Sequence, residues 1–173
     1  MFPSLKVKPA KDKKIAIVGA FPQHWDQAPF DDPTWEIWAW SAGMRGKHPR
    51  FDKWFELHEP RTYPRYEAIC KGYIDFIKKE AITQETFPAR ELIDRFGPYF
   101  FTTGQVPWLL AYAITLDPNE IGIWGVEAKG EYTPQRKDIH HFVQIAHDRG
   151  IRVTIPDGST LLDKPKIYAF SSL

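Results

Sequence analysis

The run Lys13-Lys14-Ile15-Ala16-Ile17-Val18-Gly19-Ala20-Phe21-Pro22 constrains the fold more than any other stretch. Two lysines lead into a short, unbroken apolar run, which stops at a glycine and then a proline. A strand with one wet face would alternate apolar and polar residues, and this one does not. It reads as a strand buried on both faces, as in a parallel sheet covered by helices. In open α/β sheets, ligands bind outside the carboxyl ends of such strands. A second run, Glu120-Ile121-Gly122-Ile123-Trp124-Gly125-Val126-Glu127, also ends in glycine and then an acidic residue. Together the two runs predict a nucleotide-type pocket and leave the reaction open.

The other elements follow from pattern and punctuation. Strands are expected near 14–18, 35–40, 52–57, 121–126 and 151–155, with a short one over 81–86. Phe21 to Thr34 holds Pro22, Pro29 and Pro33 and reads as a loop. Tyr66 to Lys79 reads as one helix with Ile69, Tyr73, Phe76 and Ile77 on one face. Pro88 to Phe96 reads as a helix stopped by Gly97-Pro98. Val106 to Leu116 reads as an apolar helix, with Thr102 or Thr103 as a natural N-cap. Pro134 to Arg149 reads as a helix that Gly150 ends. Strands alternating with helices predict a Rossmann-like three-layer α/β sandwich with a mainly parallel central sheet. No internal repeat or linker divides it, so residues 1–173 read as a single domain. Residues 1–13 form a basic, partly mobile lead-in.

Composition narrows the classes. With 173 residues, 43% of them hydrophobic, the chain can bury a real core. A formal net charge of +1 argues neither for nor against nucleic acid. Cys70 is the only cysteine, so no intrachain disulfide forms. There is no signal-like apolar region at the start and no apolar run near the ~18 residues of a membrane span. The expectation is a cytoplasmic protein with no membrane partner.

The candidate site residues fall at predicted strand ends and helix starts. Gly19, Ala20, Phe21 and Pro22 form the first loop, where a glycine permits close backbone approach to a ligand. The loop lacks G-x-G-x-x-G, and no P-loop motif occurs. Thr102, Thr103 and Gly104 offer hydroxyls and a helix N-terminus to a phosphate or carboxylate. Glu56 and His58 would share one face of the third strand if it continues, making His58 an acid or base. Glu127 is placed to accept ribose or sugar hydroxyls. Gln135 and Arg136 follow at a helix start, and Arg136 suits bidentate phosphate recognition. His140 and His147 are two helical turns apart, too far for one ion without partners, and no metal-ligand motif occurs. No metal site is expected.

Several of these pieces resemble a family of small Rossmann-like proteins of tailed bacteriophages and prophages. The matching stretches are Ile17–Pro22, Trp54–His58, Tyr99–Gly104, Ile123–Glu127, Glu131-Tyr132 with Gln135-Arg136, and Gly150 through Leu162. A fainter resemblance reaches bacterial sialyltransferases that use CMP-sialic acid and 6-hydroxymethylpterin diphosphokinase-like proteins. Those families carry a Gly-x-Gly-Pro-Ser turn after the first strand, a Ser/Thr-Gly turn before a helix, and a strand ending Gly-x-Asp. Here Gly19–Pro22 lacks the second glycine and the serine. Thr103-Gly104 fits the second element, and Gly125-Val126-Glu127 fits the third with Glu for Asp.

The resemblance implies a phage-encoded, glycosyltransferase-like enzyme that takes a nucleotide or nucleotide sugar as donor. A modified DNA base or a glycan would be the acceptor. A chain of this length would complete its acceptor site with its own loops or as a homo-oligomer. The alternative is a Rossmann-like protein that sequesters a nucleotide or signal without turnover. A third possibility is a partner-binding protein, which exposed tryptophans within 21–40 would favour.

Overall fold

The computed structural model describes residues 13–164. The lead-in before Lys13 lies outside them. Six strands form one sheet: β1 (Lys14–Val18), β2 (Trp35–Ala39), β3 (Lys53–Glu56), β4 (Ala81–Thr83), β5 (Glu120–Trp124) and β6 (Arg152–Thr154). Their spatial order is β4-β3-β2-β1-β5-β6, and every neighbouring pair is parallel. The sheet expected to be mainly parallel is wholly so. The chain starts at the centre, winds outward through β4, then crosses to the other side of β1. The connections that follow β1 and β5 therefore lead to opposite sides of the sheet, which is where α/β sheets open a crevice.

The two faces are covered differently. Ile15, Ile17, Trp38, Phe55, Ile121 and Ile123 pack under α3 (Ala89–Phe96), α4 (Gln105–Thr115) and α5 (Gln135–Asp148). α4 is apolar nearly all round because it meets the sheet and both neighbouring helices. On the other face, α1 (Tyr63–Ile69) and α2 (Tyr73–Glu80) cover β3, while the loop between β1 and β2 covers the centre. That loop closes with side chains, not a helix: Trp25, Ala28 and Phe30 pack on Ala16, Val18 and Trp124. Gly122 makes room for this. Any Cβ there would fall inside the Trp124 indole, which meets Trp35 edge-on at 5.3 Å. Trp25, Trp35, Trp38 and Trp40 are all at least half-buried, which removes the reason to favour a partner-binding surface there.

The single helix expected over 66–79 is two helices. Gly72, at φ 79, breaks it. The Glu67 carboxylate accepts the N–H groups of Gly72 (2.6 Å) and Ile74 (2.9 Å), tying off the start of α2. Hydrogen bonds from the Ile74 and Gly72 backbone hold its pKa below the ordinary value. The one-face pattern misled because Ile69, 58% exposed, sits on the other side of that break. α4 is capped by Gly104 with no side-chain cap, so neither Thr102 nor Thr103 serves as N-cap. Among the described residues, no helix is long and apolar enough to cross a membrane.

His48 is a buried titratable group in this fold. Its ring lies 5.4 Å from Trp25, 5.6 Å from Phe30 and 6.5 Å from Trp54, with no well-formed hydrogen bond at either nitrogen among the described residues. Burial pushes its pKa down to about 4, with only the Gly19 backbone acting in the other direction. The ring is neutral in the folded protein, so the unfolded chain takes up the proton first as pH falls below its ordinary value. Stability should be lost between pH ~6.5 and ~4, by about 3 kcal/mol in all. Denaturant titrations should show a flatter acid limb in His48→Phe than in wild type. Equal slopes would contradict this.

Candidate functional site

A cleft of ≈ 730 Å³ opens at the carboxyl edge of the sheet. Four of the six strand ends contribute a stretch each. Ala20–Pro22 follow β1, Trp40–Gly43 follow β2, Glu56 and His58 come from β3, and Gly125–Lys129 follow β5. Thr103–Val106 enter at the start of α4, Gln135 at the start of α5, and Arg65, Tyr66 and Ile69 from α1. The structure thus brings Phe21, His58, Thr103, Gly104, Glu127 and Gln135 to one cleft. Gly19, Thr102 and Arg136 do not line it.

Gly19 has a different partner from the one expected. Its N–H donates to the Trp124 carbonyl at 2.8 Å, and the Phe21 N–H donates to the Gly125 carbonyl at 2.9 Å. A Cβ on Gly19 would overlap that Gly125 carbonyl. Gly125 itself stands at φ 62, where a Cβ would lie 2.7 Å from Trp25 Cβ and 2.8 Å from the Gly19 carbonyl oxygen. The two glycines let the loops after β1 and β5 touch, forming the floor of the crevice.

His58 and Glu56 are paired although β3 ends at Glu56. Glu56 is buried, and its Oε1 accepts His58 Nδ1–H at 2.6 Å and the His58 backbone N–H at 3.1 Å. Its Oε2 accepts the Tyr73 hydroxyl at 2.7 Å, and Tyr73 in turn accepts the Trp54 indole N–H at 3.1 Å. The indole only donates and the carboxylate only accepts, so the proton on the ring sits at Nδ1. Nε2 is the free position, and the His58 side chain is 46% exposed. Burial and the charge of Glu56 push the Tyr73 pKa far up, keeping it a hydroxyl donor.

The helix-start residues are held by side chains. Thr103 Oγ1 donates to Asp138 Oδ2 on α5, so its hydroxyl is already engaged. Thr102 is exposed outside the lining. The Gln135 amide lies across Gly104, where a Cβ would stand 2.5 Å from its Nε2. Gln105 Oε1 accepts the Leu57 N–H at 3.1 Å and ties α4 to the end of β3.

Glu127 and Arg136, expected in the ligand site, instead clasp the segment after β6, and His140 joins them. Glu127 Oε2 accepts the Thr160 N–H and hydroxyl, both at 3.1 Å. Arg136 Nη2 donates to the Thr160 carbonyl. His140 Nε2 donates to the Leu161 carbonyl at 2.7 Å. His141 stacks on Phe100, with ring centroids 3.6 Å apart. Burial raises the Glu127 pKa, but hydrogen bonds from Ser159 and Thr160 outweigh it and hold the group below the ordinary value. Glu127 Oε1 is closed off from solvent without a hydrogen-bond partner among the described residues, and His24 Nε2 is 3.8 Å away. Among the described residues, no three His, Cys, Asp or Glu side chains gather as a metal site.

The sequence reading passed over several lining residues: Trp40, Ser41, Arg65, Tyr66 and Lys129. The first two follow β2, so the strand-end rule could have found them. Tyr73 has no local signal, because α2 brings it to Glu56 from 17 residues away.

No family model matches the chain, and no curated protein does. Among solved structures, the chain is similar to the sialyltransferase CstII from Campylobacter jejuni in complex with a substrate analogue, cytidine-5'-monophosphate. The identity is 11%, the TM-score 0.42, and the match covers 86% of this chain and 82% of that one. At that score the likeness carries no inference about the chemistry of the cleft.

Proposed function

We propose that the protein is a nucleotide-binding transferase. It takes a nucleotide-activated donor, a nucleotide sugar being the donor class, and moves the activated group to a hydroxyl-bearing acceptor. The observation that carries this reading is His58, held through Nδ1 by the buried Glu56 at the carboxyl edge of a parallel sheet. An imidazole so held has Nε2 free to take a proton. The acceptor hydroxyl loses its proton to Nε2 as its oxygen attacks the donor carbon. The bond from that carbon to the nucleotide phosphate breaks, and the electron pair leaves with the phosphate. Arg65 and Lys129 are the cations in the cleft lining that would meet this charge, in place of Arg136. Phe21, Trp40 and Tyr66 supply walls suited to a base. The start of α4 at Gly104 supports phosphate binding through its unpaired N–H groups and dipole.

A thermal-shift series with nucleotides, nucleotide sugars, NAD and cyclic dinucleotides tests the reading. A ligand at a hundred times its Kd should add about 2.7 kcal/mol, or roughly 5–10 °C. Gly104→Val should abolish the shift, because the new side chain displaces Gln135 into the cleft. Thr103→Val is the poorer variant, since it would strand the buried Asp138. No shift from any nucleotide at millimolar concentration would overturn the proposal.

A further inference from the structure

We propose that Ser41 is a nucleophile and that Ser41, His58 and Glu56 form a triad for acyl transfer from esters. This goes beyond the transferase reading and shares with it only the His58–Glu56 pair.

The local sequence is Ala39-Trp40-Ser41-Ala42-Gly43, a small residue, any residue, serine, any residue, glycine. It begins at the last residue of β2 and runs straight into a 3-10 turn over Ala42–Met44. A nucleophile elbow is a sharp turn from a parallel strand to a helix, tight enough to demand small neighbours, and here a single 3-10 turn stands in the helix's place. Ser41 stands at φ 80, ψ 116. A non-glycine residue is strained there, and such strain collects at functional sites.

Neighbouring strands bring the three groups to one side of the sheet. β2 and β3 pair as far as Ala39 with Trp54, and Ser41 follows Ala39 by two residues as Glu56 follows Trp54. Neighbouring strands are ~4.8 Å apart. Helix α1 touches both sides of the arrangement. The Tyr66 ring lies 5.2 Å from the His58 ring. A Cβ on Gly43 would be 4.0 Å from both Ile69 Cγ2 and Ser41 Oγ. Tyr66 and Ile69 are helical neighbours, three apart. Ser41 and His58 therefore lie against the same helix and line the same cleft. No hydrogen bond joins them in this structure, and such bonds are often loose until substrate arrives. The Ala42 and Gly43 N–H groups precede the first hydrogen bond of the turn, Met44 N–H to the Ser41 carbonyl at 2.9 Å. They are the donors that the proposal assigns to an oxyanion hole.

His58 Nε2 takes the Ser41 proton as Oγ attacks the ester carbonyl carbon. The ester C–O bond breaks, and the leaving alcohol takes that proton from His58. Water then attacks the acyl-enzyme and gives its proton to Nε2. The carboxylic acid departs and Ser41 recovers its hydroxyl hydrogen.

The test uses the full chain, a fluorophosphonate probe and p-nitrophenyl acetate. Wild type should be labelled at Ser41 by peptide mass spectrometry and should release p-nitrophenol with a burst. Ser41→Ala should remove both signals. Ser41→Gly should do the same without backbone strain, so a misfolded alanine variant does not decide the matter. His58→Ala should slow labelling by at least about 10²-fold. An unlabelled wild type at millimolar probe, or labelling at an unchanged rate in His58→Ala, would overturn the proposal. Labelling of Ser41 together with no thermal shift from any nucleotide would sustain the triad and remove the transferase.

Discussion

Replacing His58 by alanine should lower transfer by about 10²–10⁴-fold while leaving donor affinity nearly unchanged. The size follows from the position of the ring. His58 contributes to an acceptor-deprotonation step and carries no charge that the donor needs for binding. Chromatography of donor and product measures the rate, and the thermal shift measures donor binding in the same preparation. Glu56→Gln should fall in the same direction, because the buried amide cannot accept from both Tyr73 and His58 as the carboxylate does. Full turnover by His58→Ala would remove the ring from the mechanism. Donor binding without turnover by wild type would leave a protein that sequesters its ligand.

Gly125→Ala should destabilise the protein by about 2–4 kcal/mol, lowering Tm by roughly 5–15 °C. Two terms add. The residue stands at φ 62, and its new Cβ would press on Trp25 and on the Gly19 carbonyl. Gly130→Ala is the control, because it sits at φ 60 with no atom within 4 Å of an added Cβ. That variant isolates the backbone term, about 1 kcal/mol. If the two variants melt alike, close contact between the β1 and β5 loops does not hold the crevice together. If it does, Gly125→Ala should also weaken ligand binding, since both loops line the cleft.

The strands were legible because their signal is local. A run such as Ile15–Val18, with no polar position, has only one stable home, the middle of a covered parallel sheet. The same holds for Ile121–Trp124. Element ends were less legible, since β3 and β5 stop at Glu56 and Trp124 while their apolar pattern continues. The break at Gly72 shows why. A periodic face can run through a left-handed glycine, and only the Glu67 carboxylate folding back on Gly72 and Ile74 marks the second helix start.

Side-chain roles divide along the same line. The spacing of two made the pairing of Glu56 with His58 readable, although β3 ends at Glu56 and it is the His58 N–H folding back on the carboxylate that keeps the two together. Glu127, Arg136 and His140 were equally visible as polar groups, yet they bind the Thr160–Leu161 backbone, 21 to 33 residues away. Buried backbone N–H and C=O groups must find partners, and whichever side chain the fold brings near will serve. Tyr73 and Trp54 enter the His58 network for the same reason. The positions of the strands along the chain and their apolar nature are properties of short stretches of chain, whereas their spatial order is set by long-range pairing. Which polar groups remain open at the carboxyl edge of the sheet depends on partners distant in sequence, and packing alone chooses those.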